Sequence, residues 1–277
     1  NGSLSKPHRF SIICIILPLF SHFSLVIYSI MFSRSAKLRL ITRAKDFLLA
    51  TRALQVLQPF NKLFAFIYNF NLLTAWVHRH KKDNLLINDF YRPVRHYEDR
   101  LKSFTAISEH YRLYEIPVCY LEFGVANGLS FKWWMNTCGH PSSRFYGFDT
   151  FEGLPEAWGL FSKGDMQSGI PEVNDNRGRF IKGIFQDTLN DFLLEQGAAL
   201  KEKKKVIHMD ADLFSATLFA LSQLYPYLQK GDIIMFDEFN VYGHEFMAYR
   251  LFTECFYIKL RLIAAQNNFY HTAFEVE

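Results

Sequence analysis

The sequence predicts an α/β protein, with a doubly wound, mostly parallel sheet, a helical N-terminal cap and a C-terminal antiparallel hairpin. Three observations predict it. After Pro117, short apolar runs alternate with helical stretches, the pattern of a parallel sheet with helices on both faces. The final stretch, LRLIAAQ and then NNFYHTAFEVE, reads as two strands joined by an Asn-rich turn. Glycines or acids close several of the apolar runs, and open α/β sheets bind their ligands at such strand ends.

The elements follow in order. Residues 1–33 are an apolar segment. From Phe10 to Ser33 there is no formally charged residue, counting His22 as neutral. A bilayer span needs about 20 apolar residues, so this run is long enough. Arg34, Lys37, Arg39, Arg43 and Lys45 follow it, and the positive-inside rule would leave the remainder of the chain in the cytoplasm. Pro18, Ser21 and His22 interrupt the run. Two readings stand: a membrane anchor making contact through 10–33, or residues upstream of a natural start at Met31.

Residues 34–113 read as the helical cap. Leu38, Ile41, Phe47, Leu48 and Leu54 recur at near-helical spacing among basic residues. Pro59 should end one helix, another should run through Leu63, Phe66, Ile67 and Phe70, and a third should lie near 97–111. From residue 114 to 277 the expected strands are 118–123, 144–149, 179–185, 205–210 and 232–237. Helices are expected near 128–137, 187–195, 215–229 and 243–256.

Composition bounds the function. The 277 residues are 49% hydrophobic and 21% charged, which excludes a disordered or collagen-like chain. The 17% of aromatic residues imply a filled core and a stacking-rich pocket. Residues 1–113 hold 17 Lys and Arg against 6 Asp and Glu, a net +11, whereas 114–277 hold 14 against 21, a net −7. An acidic C-terminal part suits a cationic ligand or a metal ion. No nucleic-acid-binding signature accompanies the basic part. Cys14, Cys119, Cys138 and Cys255 are widely spaced without a CxxC pair, so a reducing compartment is expected rather than a disulfide framework or structural zinc.

The strand ends carry the chemistry. The first delivers Glu122-Phe-Gly124-Val-Ala-Asn-Gly128, whose glycines allow a tight turn and close backbone approach. It is neither GxGxxG nor GxxxxGK[ST]. The second ends in Asp149, which can accept hydrogen bonds from both ribose hydroxyls of a nucleoside or can cap a helix. The fourth delivers Asp210-Ala-Asp212 and the fifth Asp237-Glu238. Adjacent strands would bring these four carboxylates together, where they repel and raise one another's pKa. A hard divalent cation resolves the repulsion, and oxygen ligands favour Mg²⁺, Mn²⁺ or Ca²⁺. The other reading is strand-end acids that cap or face solvent; two acidic pairs at successive strand ends favour the cation.

The ordered segments LEFGVANGLS, FYGFDTFEGLPEAW, KGIFQDTL, HMDADLFSATLFALSQLYPYL and GDIIMFDEFN resemble the macrocin O-methyltransferase family over roughly 107–277. The resemblance implies a class I, Rossmann-like fold, S-adenosylmethionine and a divalent metal such as Mg²⁺ as cofactors, and methyl transfer to a sugar hydroxyl. A C-terminal hairpin is also more typical of such enzymes than of dehydrogenases. By the resemblance, Glu122, Gly124 and Gly128 line the methionine end of the cofactor, Asp149 holds the ribose, and Gln186 and Asp187 surround the adenine. Asp210, Asp237 and Glu238 bind the metal, and Asp212 is the general base. The family often has Gly where this chain has Ala211 and Asp-Asp where it has Asp237-Glu238. His244 is a reserve base or an ordinary helix-start histidine. The long connection from Thr150 to Arg179 reads as a lid, with Trp158 or Phe161 as apolar wall. The expected partner is a glycosylated small-molecule acceptor, with no nucleic acid, and the resemblance implies self-association. The competing functions are a nucleotide-cofactor oxidoreductase and a non-catalytic cofactor-binding module. The absent GxGxxG weighs against the first and the acid quartet against the second.

Overall fold

The computed structural model describes residues 34–277. The apolar segment, with its anchor and Met31 readings, lies outside the described residues. No helix of the described residues is long and apolar enough to cross a membrane.

The chain divides into two compact units, with the division at Leu63/Phe64. The described part of the first contains α1 (Arg34–Thr51) and a 3₁₀ segment, Ala53–Phe60. Arg52, left-handed at φ 51°, separates the two, and Pro59 lies inside the 3₁₀ segment, directly before α2 begins. Next comes α2 (Asn61–His80), most of which belongs to the second unit.

The second unit continues with β1 (Ile87–Asn88), a 3₁₀ turn (Tyr97–Asp99), α3 (Arg100–His110), β2 (Val118–Phe123), α4 (Leu129–Thr137), β3 (Arg144–Asp149), β4 (Gly178–Lys182) and α5 (Phe185–Lys201). Then follow β5 (Lys204–Met209), α6 (Phe214–Leu224), β6 (Ile233–Phe236), α7 (Glu245–Phe256), β7 (Leu260–Gln266) and β8 (His271–Val276). β4 stops three residues short of the expected 185, because Gly183 turns the chain at φ 141° into α5. β1 is an addition that the sequence did not announce; two residues carry no periodicity.

The strands form one sheet in the order β1-β7-β8-β6-β5-β2-β3-β4. All neighbours are parallel except β6/β8 and β7/β8, the expected terminal hairpin. Alternate side chains enter opposite layers. Leu121, Phe123, Phe148, Ile207 and Phe236 pack with α5, α6 and α7. Tyr120, Phe145, Val206 and Met235 pack with Phe104 and Ile107 of α3 and with Phe131 and Trp134 of α4. In the first layer Trp76 of α2 meets the rings of Phe239, Phe246, Tyr249, Phe269 and Phe274 at centroid distances of 4.9–6.2 Å. The aromatic content is therefore largely core.

One buried ion pair ties the start of β5 to the turn before β6. Lys205, fully buried, places Nζ 3.0 Å from Asp232 Oδ2 and donates to the carbonyl of Leu200 at 3.0 Å. Asp232 in turn accepts from the backbone N–H groups of Lys205 and Gln229. Truncating one member of such a pair strands the other charge, at a cost of about 3–5 kcal/mol. Lys205→Met should therefore lower unfolding free energy in urea by about that amount; a loss well under 1 kcal/mol would contradict the pair's structural role.

Candidate active site

Strand order reverses between β2 and β5: the chain proceeds from β2 outward to β3 and β4, then returns to β5 and continues in the other direction. Ligands of doubly wound sheets bind outside the carboxyl ends at such a point. Here the two exits touch. Asp210 N donates to the Phe123 carbonyl at 2.9 Å, and Asp237 N to the Met209 carbonyl at 3.0 Å, so backbone pairing runs on past the strands. Gly124 has φ 94°, and a Cβ there would lie 1.7 Å from the carbonyl oxygen of Asp210. No other residue tolerates both the conformation and the approach.

A cavity of about 550 Å³ opens above these exits, within the usual range for small-molecule sites. Glu122, Gly124, Asp149, Gln186, Asp210, Asp212 and Glu238 line it, as do Trp158 and Phe161 from the long connection. The two rings stack at 5.4 Å across a backbone bridge between the same residues. Gly128, Asp187, Asp237 and His244 are not among the cavity-lining residues. Gly128 instead starts α4 at φ 71°, and Asp187 lies exposed in the first turn of α5. His244 Nδ1 accepts the Phe214 N–H at 3.2 Å and its ring faces Trp158, so it serves the start of α6.

Two predicted cofactor carboxyls have structural partners. Asp149 Oδ2 accepts the N–H groups of Val125 and Ala126 at 2.8 and 2.9 Å, and Oδ1 that of Phe151 at 2.8 Å. Asp149 thus shapes the glycine loop while lining the cavity. Glu122, buried at the end of β2, accepts from Tyr120 Oη at 3.0 Å, and burial raises its carboxyl well above the usual range.

The four strand-end acids split into two groups. Asp210 and Asp237 share the Arg100 guanidinium, whose Nη1 lies 3.4 Å from Asp210 Oδ2 and 3.2 Å from Asp237 Oδ1. Tyr97 Oη donates to Asp237 Oδ2 at 2.7 Å. His271 Nδ1 lies 3.1 Å and His208 Nε2 3.7 Å from Asp237 Oδ1. Burial, then the charge of Asp237, pushes Asp210 well above the carboxylate range. Burial would raise Asp237 too, but the His208 and His271 rings and Arg100 outweigh it and hold it well below. Glu238 turns elsewhere: Oε1 accepts from Tyr270 Oη, and its backbone N–H donates to the buried Glu245 at 2.8 Å. Burial raises Asp212 to about 6 and Glu238 to about 8, the latter raised further by the Asp212 charge. Asp212 is left-handed at φ 56°, a strained placement for a non-glycine residue.

Ligand atoms of His208, Asp210 and Asp237 come within 4.8 Å of one another. The expected metal set of Asp210, Asp237 and Glu238 is not gathered as one group. A divalent ion does not fit the acids as they stand: the facing oxygens of Asp210 and Asp237 are on a guanidinium, and Glu238 is bonded away from them.

Sequence reasoning missed Tyr97, Arg100 and Tyr270. Arg100 comes from a stretch read as cap. What positions it is the Asn-rich hairpin turn: Asn268 exchanges hydrogen bonds with the backbone of Arg92, at 2.7 Å each way, and Asn267 with that of His96, at 3.1 and 2.9 Å. Both asparagines sit at positive φ, which Asn tolerates better than most residues.

Residues 121–239 match a family model described as a methyltransferase domain. The 8-demethyl-8-(2,3-dimethoxy-alpha-L-rhamnosyl)-tetracenomycin-C 4'-O-methyltransferase of Streptomyces olivaceus is 27% identical over 123 residues, 37% of this chain and 44% of that protein. The chain thus spans less than half the length of this curated relative. The crystal structure of a calicheamicin methyltransferase superposes with a TM-score of 0.51 at 19% identity, over 76% of this chain and 91% of that one. The O-methyltransferase NovP gives a TM-score of 0.48 at 16% identity, over 76% and 98%. The first superposition shows the fold, that of the class I, Rossmann-like methyltransferases.

The raised carboxyls make stability depend on pH. A native state that keeps protons the unfolded chain releases loses stability as pH rises. For Asp212 and Glu238 the window runs from the ordinary carboxylate range up to about 8. Glu238→Gln should flatten the decline in urea midpoint over the upper part, between about 6 and 8. An unaltered slope would contradict the burial-raised carboxyl.

Proposed function

We propose that this chain transfers a methyl group from S-adenosylmethionine to a hydroxyl of a glycosylated small molecule, with residues 64–277 as the transferring unit. One observation carries the reading: the cavity lies at the sheet's switch point and is lined by Glu122, Gly124, Asp149, Gln186, Asp212 and Glu238. The name of the Streptomyces olivaceus relative, a 4'-O-methyltransferase of a rhamnosyl tetracenomycin, and the resemblance to macrocin-type enzymes support the choice of acceptor.

The residues present suit a cationic cofactor. Acidic side chains line the cavity, Asp149, Asp212 and the buried Glu238 among them. S-adenosylmethionine, if bound there, would supply a methyl on a sulfonium, with the acceptor oxygen–carbon bond forming as the carbon–sulfur bond breaks to leave a neutral thioether. Asp212 takes the acceptor's proton. Its pKa near 6 leaves it ionised at neutral pH and makes it a stronger base than an ordinary aspartate. Glu122 and the loop held by Asp149 form the cofactor wall, and Trp158 and Phe161 exclude water from the reacting oxygen. No step is assigned to a divalent ion.

Asp212→Asn should lower kcat by roughly 10²–10⁴-fold, the usual worth of a general base. Cofactor affinity by calorimetry should stay within about threefold, under 1 kcal/mol. Turnover is read by mass spectrometry as one added methyl on a panel of glycosylated acceptors. A chain that binds no S-adenosylmethionine, or an Asp212→Asn variant with unchanged kcat, would overturn the assignment.

A further inference from the structure

We infer that Arg100 is the resident cation of this site, standing between Asp210 and Asp237 where a divalent ion would otherwise neutralise them, so that the chain works without a bound metal. The second half of this inference rests on the methyl-transfer reading; the first half does not.

Asp237, 2% exposed, and Asp210, 22% exposed, end neighbouring strands, and a cation between them offsets the cost of enclosing their charge. Arg100 supplies it. A single guanidinium nitrogen reaches Asp210 Oδ2 and both oxygens of Asp237 at 3.2–3.4 Å and also donates to Tyr97 Oη at 2.6 Å. The guanidinium lies 4.3 Å over the Tyr97 ring, and its side chain is only 12% exposed. Arginine keeps its charge at any working pH and is more weakly hydrated than an ammonium, so it suits this half-enclosed position. A hydrated Mg²⁺ would need six oxygens in near-octahedral array. Tyr97 and Arg100 together use the Asp237 oxygens that such an ion would require.

The placement is built into the fold. Arg100 is the first residue of α3, and the preceding turn is fixed by two independent sets of bonds. Asn267 and Asn268 grip the backbone at Arg92 and His96. Arg92 pairs with Asp89 and Asp99. Arg100 also lines the cavity, so the same cation faces the position of an acceptor oxygen that gains negative charge as its proton leaves.

The test uses Mn²⁺ as the probe and electron paramagnetic resonance of the free ion as the readout, on the full chain. The wild type should leave Mn²⁺ free up to roughly millimolar concentration. Arg100→Gln, which removes the charge and keeps a planar amide, should bind one Mn²⁺ at least about tenfold more tightly, and the added change Asp210→Asn should abolish that gain. Arg100→Lys, which keeps the charge, should bind as weakly as the wild type. Micromolar Mn²⁺ binding by the wild type that Asp210→Asn removes would overturn the inference, as would a folded Arg100→Gln chain that gains none. If Arg100→Gln does not fold, the wild-type titration with and without Asp210→Asn decides. Methyl transfer by the wild type should persist in EDTA within about twofold, and its loss there would overturn the metal-free half. Failure to bind S-adenosylmethionine would remove the methyl-transfer reading while leaving the Mn²⁺ result to decide the role of Arg100.

Discussion

The contact of Arg100 with Asp210 and Asp237 is the constraint on which the site depends. The sheet's connectivity forces the ends of β5 and β6 together, and each end carries an aspartate. Asp237 is 2% exposed and closed off from water, whereas Asp210 also borders the cavity. The fold delivers a cation to them from an element distant in sequence. The terminal hairpin then acquires a second purpose beyond sheet pairing. Its Asn267-Asn268 turn holds the segment that carries Tyr97 and Arg100 to the strand ends.

This arrangement also separates two chemical roles among acids that look equivalent as sequence. Asp210 and Asp237 are engaged by Arg100 and, for Asp237, by Tyr97. Asp212 and Glu238 face the cavity and have raised pKa values, Asp212 being suited to accept a proton. The division follows from backbone geometry. Asp212 sits in a left-handed turn, and the Tyr270 hydroxyl bonds Glu238 while Arg100 and Tyr97 bond its neighbour Asp237.

Much of the fold was legible because periodic patterns report local structure. The apolar runs at β2, β3, β5 and β6 and the final hairpin are long enough to carry a signal, and their order specifies a doubly wound sheet. β1 is two residues long and has none. Of the candidate site, the strand-end positions were legible, and Glu122, Gly124, Asp149, Gln186, Asp210, Asp212 and Glu238 line one cavity. Side-chain direction was not legible. Nothing in FDEF shows that Glu238 bonds to Tyr270, nothing in TRAL or EDRLK distinguishes one arginine from another, and the helix-start role of His244 depends on a contact across thirty residues.

The central claim is that the exits of β2 and β5 enclose a binding site for a sulfonium cofactor. A crystal structure of the full chain grown with S-adenosylhomocysteine tests it most directly. Ligand density is expected in the cavity beside Gly124 and Asp210, with the thioether facing Asp212 and with Arg100 still between Asp210 and Asp237. An empty cavity at saturating ligand, or density bound elsewhere on the molecule, would contradict it.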